Sequence, residues 1–215
     1  MDNNIKLIIF DLDGVLVEAK TIHYDALNRA LGENYSISWS EHLSVYDGLK
    51  TQQKLDMLTN RKGLPIVDHK KIWDNKQKYT LEALRGLKEN NSLILTMAHL
   101  VHDRYKIAVC SNSIRKTVLT VLSKLGIIEY IDLILSNEDV KNSKPHPEMY
   151  WKAISMMGCL PEETLIVEDS PYGLLAAARS KSHILRVKTP HDVTHLNIMN
   201  KIEEIKHGAN KMIPK

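Results

Sequence analysis

The stretch Leu7-Ile8-Ile9-Phe10-Asp11-Leu12-Asp13-Gly14 decides how the rest of the chain is read. Four apolar residues stop abruptly at two aspartates and a glycine, the pattern of a strand buried on both faces that runs into a polar loop. The pattern recurs. Residues 107–110 end at Ser111-Asn112-Ser113, residues 131–135 at Ser136-Asn137, residues 164–167 at Glu168-Asp169-Ser170, and residues 184–187 before Thr189-Pro190. Between them, residues 93–101, 118–125, 149–157 and 174–178 carry helical spacing. Strands alternating with helices predict an α/β fold, a Rossmann-like parallel sheet covered on both faces.

Residues 17–87 break the rhythm. They hold helical patterns at 24–31, 52–58 and 72–87 but no buried strand run, so a helical unit is expected to be inserted after the first strand. The expected division is a core of residues 1–16 and 88–215 with a helical cap of residues 17–87. The Lys-rich tail, residues 206–215, is expected to fray.

Composition narrows the function classes. With 215 residues, 43% of them hydrophobic and 26% charged, the chain is long enough for one substantial core. The net charge of +3 comes from scattered basic residues, so no nucleic-acid partner is expected. No apolar run approaches the roughly 18 residues needed to cross a bilayer, and residues 1–6 are polar, which points to a cytoplasmic protein with no membrane partner. The two cysteines, Cys110 and Cys159, form no C-x-x-C pair and read as reduced core residues.

In an open parallel sheet, ligands bind beyond the carboxyl ends of the strands. The residues there are Asp11 and Asp13, Ser111 and Asn112, Glu168 and Asp169, with Lys144-Pro145 in the loop after the third strand. Carboxylates from two strands suit a hard, oxygen-preferring cation such as Mg²⁺, and a lysine with a hydroxyl suits a phosphoryl group. Each motif alone has a plain structural reading. Asp-x-Asp-Gly is often a turn or part of a calcium loop, but Val15, Leu16 and Val17 follow where a calcium loop needs oxygen ligands. Lys144-Pro145 would be a solvated lysine before a helix, and Glu168 to Pro171 a capped helix start, roles compatible with catalysis.

Taken in order, Asp11-Leu12-Asp13-Gly14-Val15-Leu16, Ser111-Asn112, Lys144-Pro145 and Glu168-Asp169-Ser170 resemble the four motifs of the haloacid dehalogenase superfamily, most closely its beta-phosphoglucomutase and phosphoglycolate phosphatase subgroup. The resemblance implies a phosphohydrolase with Asp11 as nucleophile and Asp13 as general acid, then base. It also implies Mg²⁺ held by Asp11, the Asp13 carbonyl, Glu168 and Asp169. Ser111 and Asn112 would bind phosphoryl oxygens, and Lys144 would offset charge. In the cap, His23 falls where the resembled mutase has a hinge histidine. Asp47-Gly48-Leu49-Lys50-Thr51 is similar to a specificity loop, with Gly48 allowing close backbone approach and Lys50 or Thr51 at the entrance. Thr51 stands where the mutase has an arginine that grips a second phosphate, and Lys50 could replace that arginine only as a point charge. His99 and His102 read as surface or packing residues.

Hydrolysis of a small phosphomonoester is therefore the leading expectation. A phosphosugar mutase would share every core residue. Dehalogenation needs no metal and no acid at Asp13, and a non-catalytic protein of this fold would not require the full motif set.

Overall fold

The computed structural model describes residues 5–210. Five strands, β1 (Leu7–Phe10), β2 (Lys106–Cys110), β3 (Leu133–Leu135), β4 (Thr164–Glu168) and β5 (His183–Arg186), form one parallel sheet in the order β3-β2-β1-β4-β5. All four residues of β1 are fully buried, as expected for a central strand covered on both faces. Ile8 and Phe10 enter one cluster with Leu100, Val121 and Ile202, while Leu7 and Ile9 pack with Tyr150 and Ala176 on the other side. Burying each such side chain contributes about 1.5–3 kcal/mol.

Helices α5 (Asn91–His102), α6 (Arg115–Leu125), α7 (Glu148–Met156), α8 (Pro171–Ser180) and α9 (His195–Asn210) cover the sheet. The chain leaves β1 toward β2 and β3, then returns to the other side of β1 for β4, so the strand order reverses between β1 and β4. That switch point opens a crevice at the carboxyl ends of the two strands.

Between β1 and α5 there are no strands, only α1 (Lys20–Leu31), α2 (Trp39–Glu41), α3 (Thr51–Lys62) and α4 (His69–Ala83) with shorter helical turns. These elements have their own apolar core, including Leu27, Tyr46, Leu55, Leu58 and Ile72. The fold is α/β with an inserted helical cap.

Three local expectations change. β3 is shorter than residues 131–135, because a 3-10 turn at Ile128–Tyr130 precedes it and Asp132 accepts the Ile107 N–H at 2.7 Å. The helix expected over 72–87 is α4, from His69 to Ala83, tightening to a 3-10 turn at Leu84–Gly86. Residues 206–210, expected to fray, continue α9; residues 211–215 lie outside the described part. No helix among the described residues is long and apolar enough to cross a membrane.

Candidate active site

The turn after β1 presents two carboxylates to the crevice. The Asp11 N–H donates to the Val167 carbonyl at 3.0 Å, extending the β1–β4 ladder by one rung, and the N–H groups of Leu16 and Val17 then converge on the Leu12 carbonyl. Gly14 turns the chain with φ +93°, and a Cβ there would lie 2.2 Å from Asp169 Oδ2. Only glycine lets the β1 loop pass this close to the β4 loop.

Lys144 joins the two strand ends. Its Nζ donates to Asp11 Oδ1 and Glu168 Oε1, both at 2.6 Å, and to the Cys110 carbonyl at 2.9 Å, with the side chain almost wholly buried. Burial would lower its pKa, but Asp11 and Glu168 more than offset that and hold it well above the ordinary lysine value. Burial pushes Asp11 well above the usual carboxylate range; Lys144 pulls it down, while Glu168, Asp169 and Asp13 push it further up. One ammonium thus serves two buried carboxylates, leaving an excess of negative charge that favours a further cation.

Glu168 closes β4 fully buried. Its Oε1 also accepts from Tyr150 Oη at 2.9 Å, and Oε2 accepts the backbone N–H groups of Asp169 and Ser170. Ser170 caps α8 by accepting the Gly173 N–H at 3.1 Å, which fixes this turn. Oxygens of Asp11, Glu168 and Asp169 lie within 4.8 Å of one another, a donor set suited to Mg²⁺. Asp169 fits that use: Oδ1 is buried and accepts no hydrogen bond among the described residues. Burial and Glu168 raise its pKa to about 6, against the pull of Lys20. Glu168, expected among the metal ligands, also accepts from protein donors at both of its oxygens.

Asp13 faces the cap. Its Oδ1 meets His23 Nε2 at 3.0 Å, and Oδ2 accepts from Ser113 Oγ at 2.8 Å. His23 Nδ1 meets Lys76 Nζ at 3.2 Å. Asp13 as a carboxylate can only accept, so His23 carries its proton at Nε2, aimed at Asp13, and accepts at Nδ1 from Lys76. Burial alone would raise the pKa of Asp13, but His23, Ser113 and Lys76 together bring it down to about 2.

Asn112 ties the cap to the core. Its Nδ2 donates to the Gly48 carbonyl at 2.8 Å and to the Lys144 carbonyl at 3.2 Å, while Oδ1 accepts the Lys144 N–H at 3.1 Å. Gly48, at φ +77°, approaches Ser170 so closely that a Cβ would lie 3.2 Å from its Oγ.

A small cavity of about 50 Å³ lies between these groups, lined by Asp11, Asp13, Ser111, Asn112 and Lys144 from the core and by His23, Gly48 and Thr51 from the cap. Lys50 does not line it. Lys50 precedes α3 with extended backbone, at φ −66° and ψ 151°, and its N–H is capped by Gln53 Oε1. The inward cations are Lys54 and Lys76, which periodicity alone marked as helix positions; neither was expected at the site. Ser113, Gln77 and Tyr150 were missed too. His99 and His102 are exposed on α5, away from the cavity. Cys110 is buried behind Lys144, with its thiol pushed up to about 12 by burial.

The fold agrees with what the sequence matches. A phosphorylated carbohydrates phosphatase of Thermotoga maritima is 27% identical over 182 residues, covering 79% of each chain. A phosphoglycolate phosphatase of Photorhabdus laumondii is 28% identical over 177 residues, covering 80% of this chain and 76% of the relative. Among solved structures, a beta-phosphoglucomutase from Clostridium difficile superposes with a TM-score of 0.81 at 22% identity, over 93% of this chain and 98% of that one. Residues 8–187 match the family described as haloacid dehalogenase-like hydrolase, so the chain belongs to it and is a phosphohydrolase.

Proposed function

We propose that the protein is a Mg²⁺-dependent phosphatase that hydrolyses a small phosphomonoester through a phosphoryl group carried on Asp11. The observation that carries this reading is Lys144, which holds the Asp11 carboxylate at 2.6 Å in the same cavity that Ser111, Asn112 and a second carboxylate, Asp13, line. A nucleophile, an oxyanion clamp and an acid-base group thus meet in one enclosed space.

Asp11 attacks phosphorus, its Oδ–P bond forming as the bond to the leaving oxygen breaks. Lys144, Ser111 and the Asn112 backbone hold the phosphoryl oxygens. The leaving oxygen takes a proton passed through Asp13 from the His23 Nε2–H, with Lys76 returning one to Nδ1, so that Asp13 is left as the carboxylate. In the second half, Asp13 as carboxylate removes a proton from water, which attacks phosphorus and restores Asp11. Asp11 and Asp169, with the Asp13 carbonyl implied by the family, would hold Mg²⁺, with Glu168 orienting the turn that presents Asp169. When bound, the metal supplies positive charge to the nucleophile and the phosphoryl oxygens.

The test is phosphate release from a set of phosphorylated metabolites with Mg²⁺, together with trapping of a phosphorylated Asp11 peptide by borohydride or hydroxylamine. A folded Asp11→Asn variant that still turned over would overturn the mechanism.

A mutase is the second reading. The cap grips Asp13 through His23 and leaves a cavity of only about 50 Å³, an arrangement suited to excluding water. Isomer formation outrunning phosphate release would favour it.

A further inference from the structure

Two lysines reach the cavity from the cap, and they are not equivalent. Lys76 is committed: its Nζ meets His23, and through it Asp13. Lys54 is 5% exposed and lines the same cavity, yet among the described residues it makes no hydrogen bond from its ammonium and no ion pair within 4.0 Å. Asp47 and Asp13 are near enough to raise its pKa without touching it, and burial outweighs them. A buried ammonium without an acceptor is costly, and in proteins such groups are paired.

Thr51 stands beside it. It lies three residues earlier on α3, hence on the same helix face, and is 7% exposed. Its Oγ1 accepts from Gln77 Nε2 at 3.2 Å, which leaves its own proton free to donate toward the cavity. A hydroxyl donor and an ammonium donor, both buried and on one face of one helix, make a site for an acceptor with negative charge. Neither group is needed for the phosphoryl oxygens, which Lys144, Ser111 and Asn112 serve from the core.

We propose that Lys54, with the Thr51 hydroxyl, selects substrates whose leaving group carries a second anionic group, a carboxylate or a second phosphate. The inference rests on the phosphatase reading and adds to it the chemistry of the substrate's far end. The cation is the one inside α3, a turn beyond the loop, rather than Lys50.

The test compares three probes in Mg²⁺: phosphoglycolate, with a carboxylate; fructose 1,6-bisphosphate, with a second phosphate; and glucose 1-phosphate, whose far end is neutral. The wild type is expected to favour at least one of the anionic probes. In Lys54→Met, the ratio of kcat/KM for that probe to kcat/KM for glucose 1-phosphate falls by about 10- to 100-fold, mainly through KM. Lys54→Arg recovers most of the ratio. Whichever anionic probe loses more identifies the group bound. A common factor across all three probes, or a wild type that prefers glucose 1-phosphate, overturns the proposal. Calorimetric Kd values for the same probes on Asp11→Asn and on Asp11→Asn/Lys54→Met read the subsite without turnover. Should the wild type release phosphate from none of them, the phosphatase reading falls, and the ratio of these Kd values still decides for or against Lys54.

Discussion

Lys20 Nζ lies 2.8 Å from Asp169 Oδ2 and 3.8 Å from Asp47 Oδ2. The first residue of the first cap helix therefore places a cation on an acid that also lies within 4.8 Å of Asp11. An ammonium and a divalent cation on one carboxylate repel each other. Lys20→Met should tighten Mn²⁺ or Mg²⁺ binding by about 3- to 10-fold, read by calorimetry or by Mn²⁺ electron paramagnetic resonance. An unchanged Kd would mean that Lys20 serves only to tie cap to core.

Lys144 is the sole ammonium bonded to both Asp11 and Glu168 among the described residues. Lys144→Met should cost about 3–5 kcal/mol in urea unfolding, since it strands two buried carboxylates. It should also depress every substrate alike, because each presents the same phosphoryl group. Asp11→Asn should abolish turnover with a far smaller change in stability.

Chelation by EDTA should remove activity and Mg²⁺ restore it, while Ca²⁺, with longer and looser coordination, should support little turnover. Full activity in EDTA would contradict the assignment of Asp11 and Asp169 to the metal.

For Lys54, burial brings the pKa down to about 8 from 10.5. Its charge is present below about 8, so KM for an anionic-tailed substrate should rise as pH passes that value. Stability moves the other way. Between about 8 and 10.5 the unfolded chain holds a proton that the folded chain has released, so stability rises with pH across that window. Lys54→Met should flatten both dependences and raise Tm at pH 7 by about 2–4 °C, a rise expected when an unpaired buried charge is removed. A lower Tm at pH 7 would show that the charge is already compensated.

Gly14→Ala asks for a methyl group 2.2 Å from Asp169 Oδ2 at a φ of +93°. It should lose about 1–3 kcal/mol of stability and most of its metal affinity, measured by unfolding and by Mn²⁺ titration. Retained metal affinity would show that Asp169 can move aside.

The core was legible because apolar runs end where the polar groups of the crevice begin: Phe10 hands over to Asp11, Cys110 to Ser111 and Val167 to Glu168. A strand buried on both faces announces its own end. The cap was less legible for the converse reason. Helical spacing shows where α3 and α4 lie, but Lys54 and Lys76 read as ordinary polar positions until packing turns them inward. Lys50 is expected at the entrance from its place in the loop, but its extended backbone lies outside the helical register that aims Lys54 inward. Likewise, nothing local to Glu168 tells that Tyr150, from α7, will occupy one of its oxygens.

The bonds that join cap to core through Asn112, Asp13 and Asp169 all use residues of the reaction centre itself. The cap is thus latched largely by the groups it covers, with the Tyr172 Oη bond to the Val45 carbonyl at 3.4 Å as a contact outside them. Any opening of the cap would strip Asn112, Asp13 and Asp169 of partners that orient them, so an open form would be a poorly organised one. Under the proposed mechanism, product escape and loss of catalytic order would be one event, and a phosphoryl group on Asp11 would be sheltered for as long as the site stayed assembled.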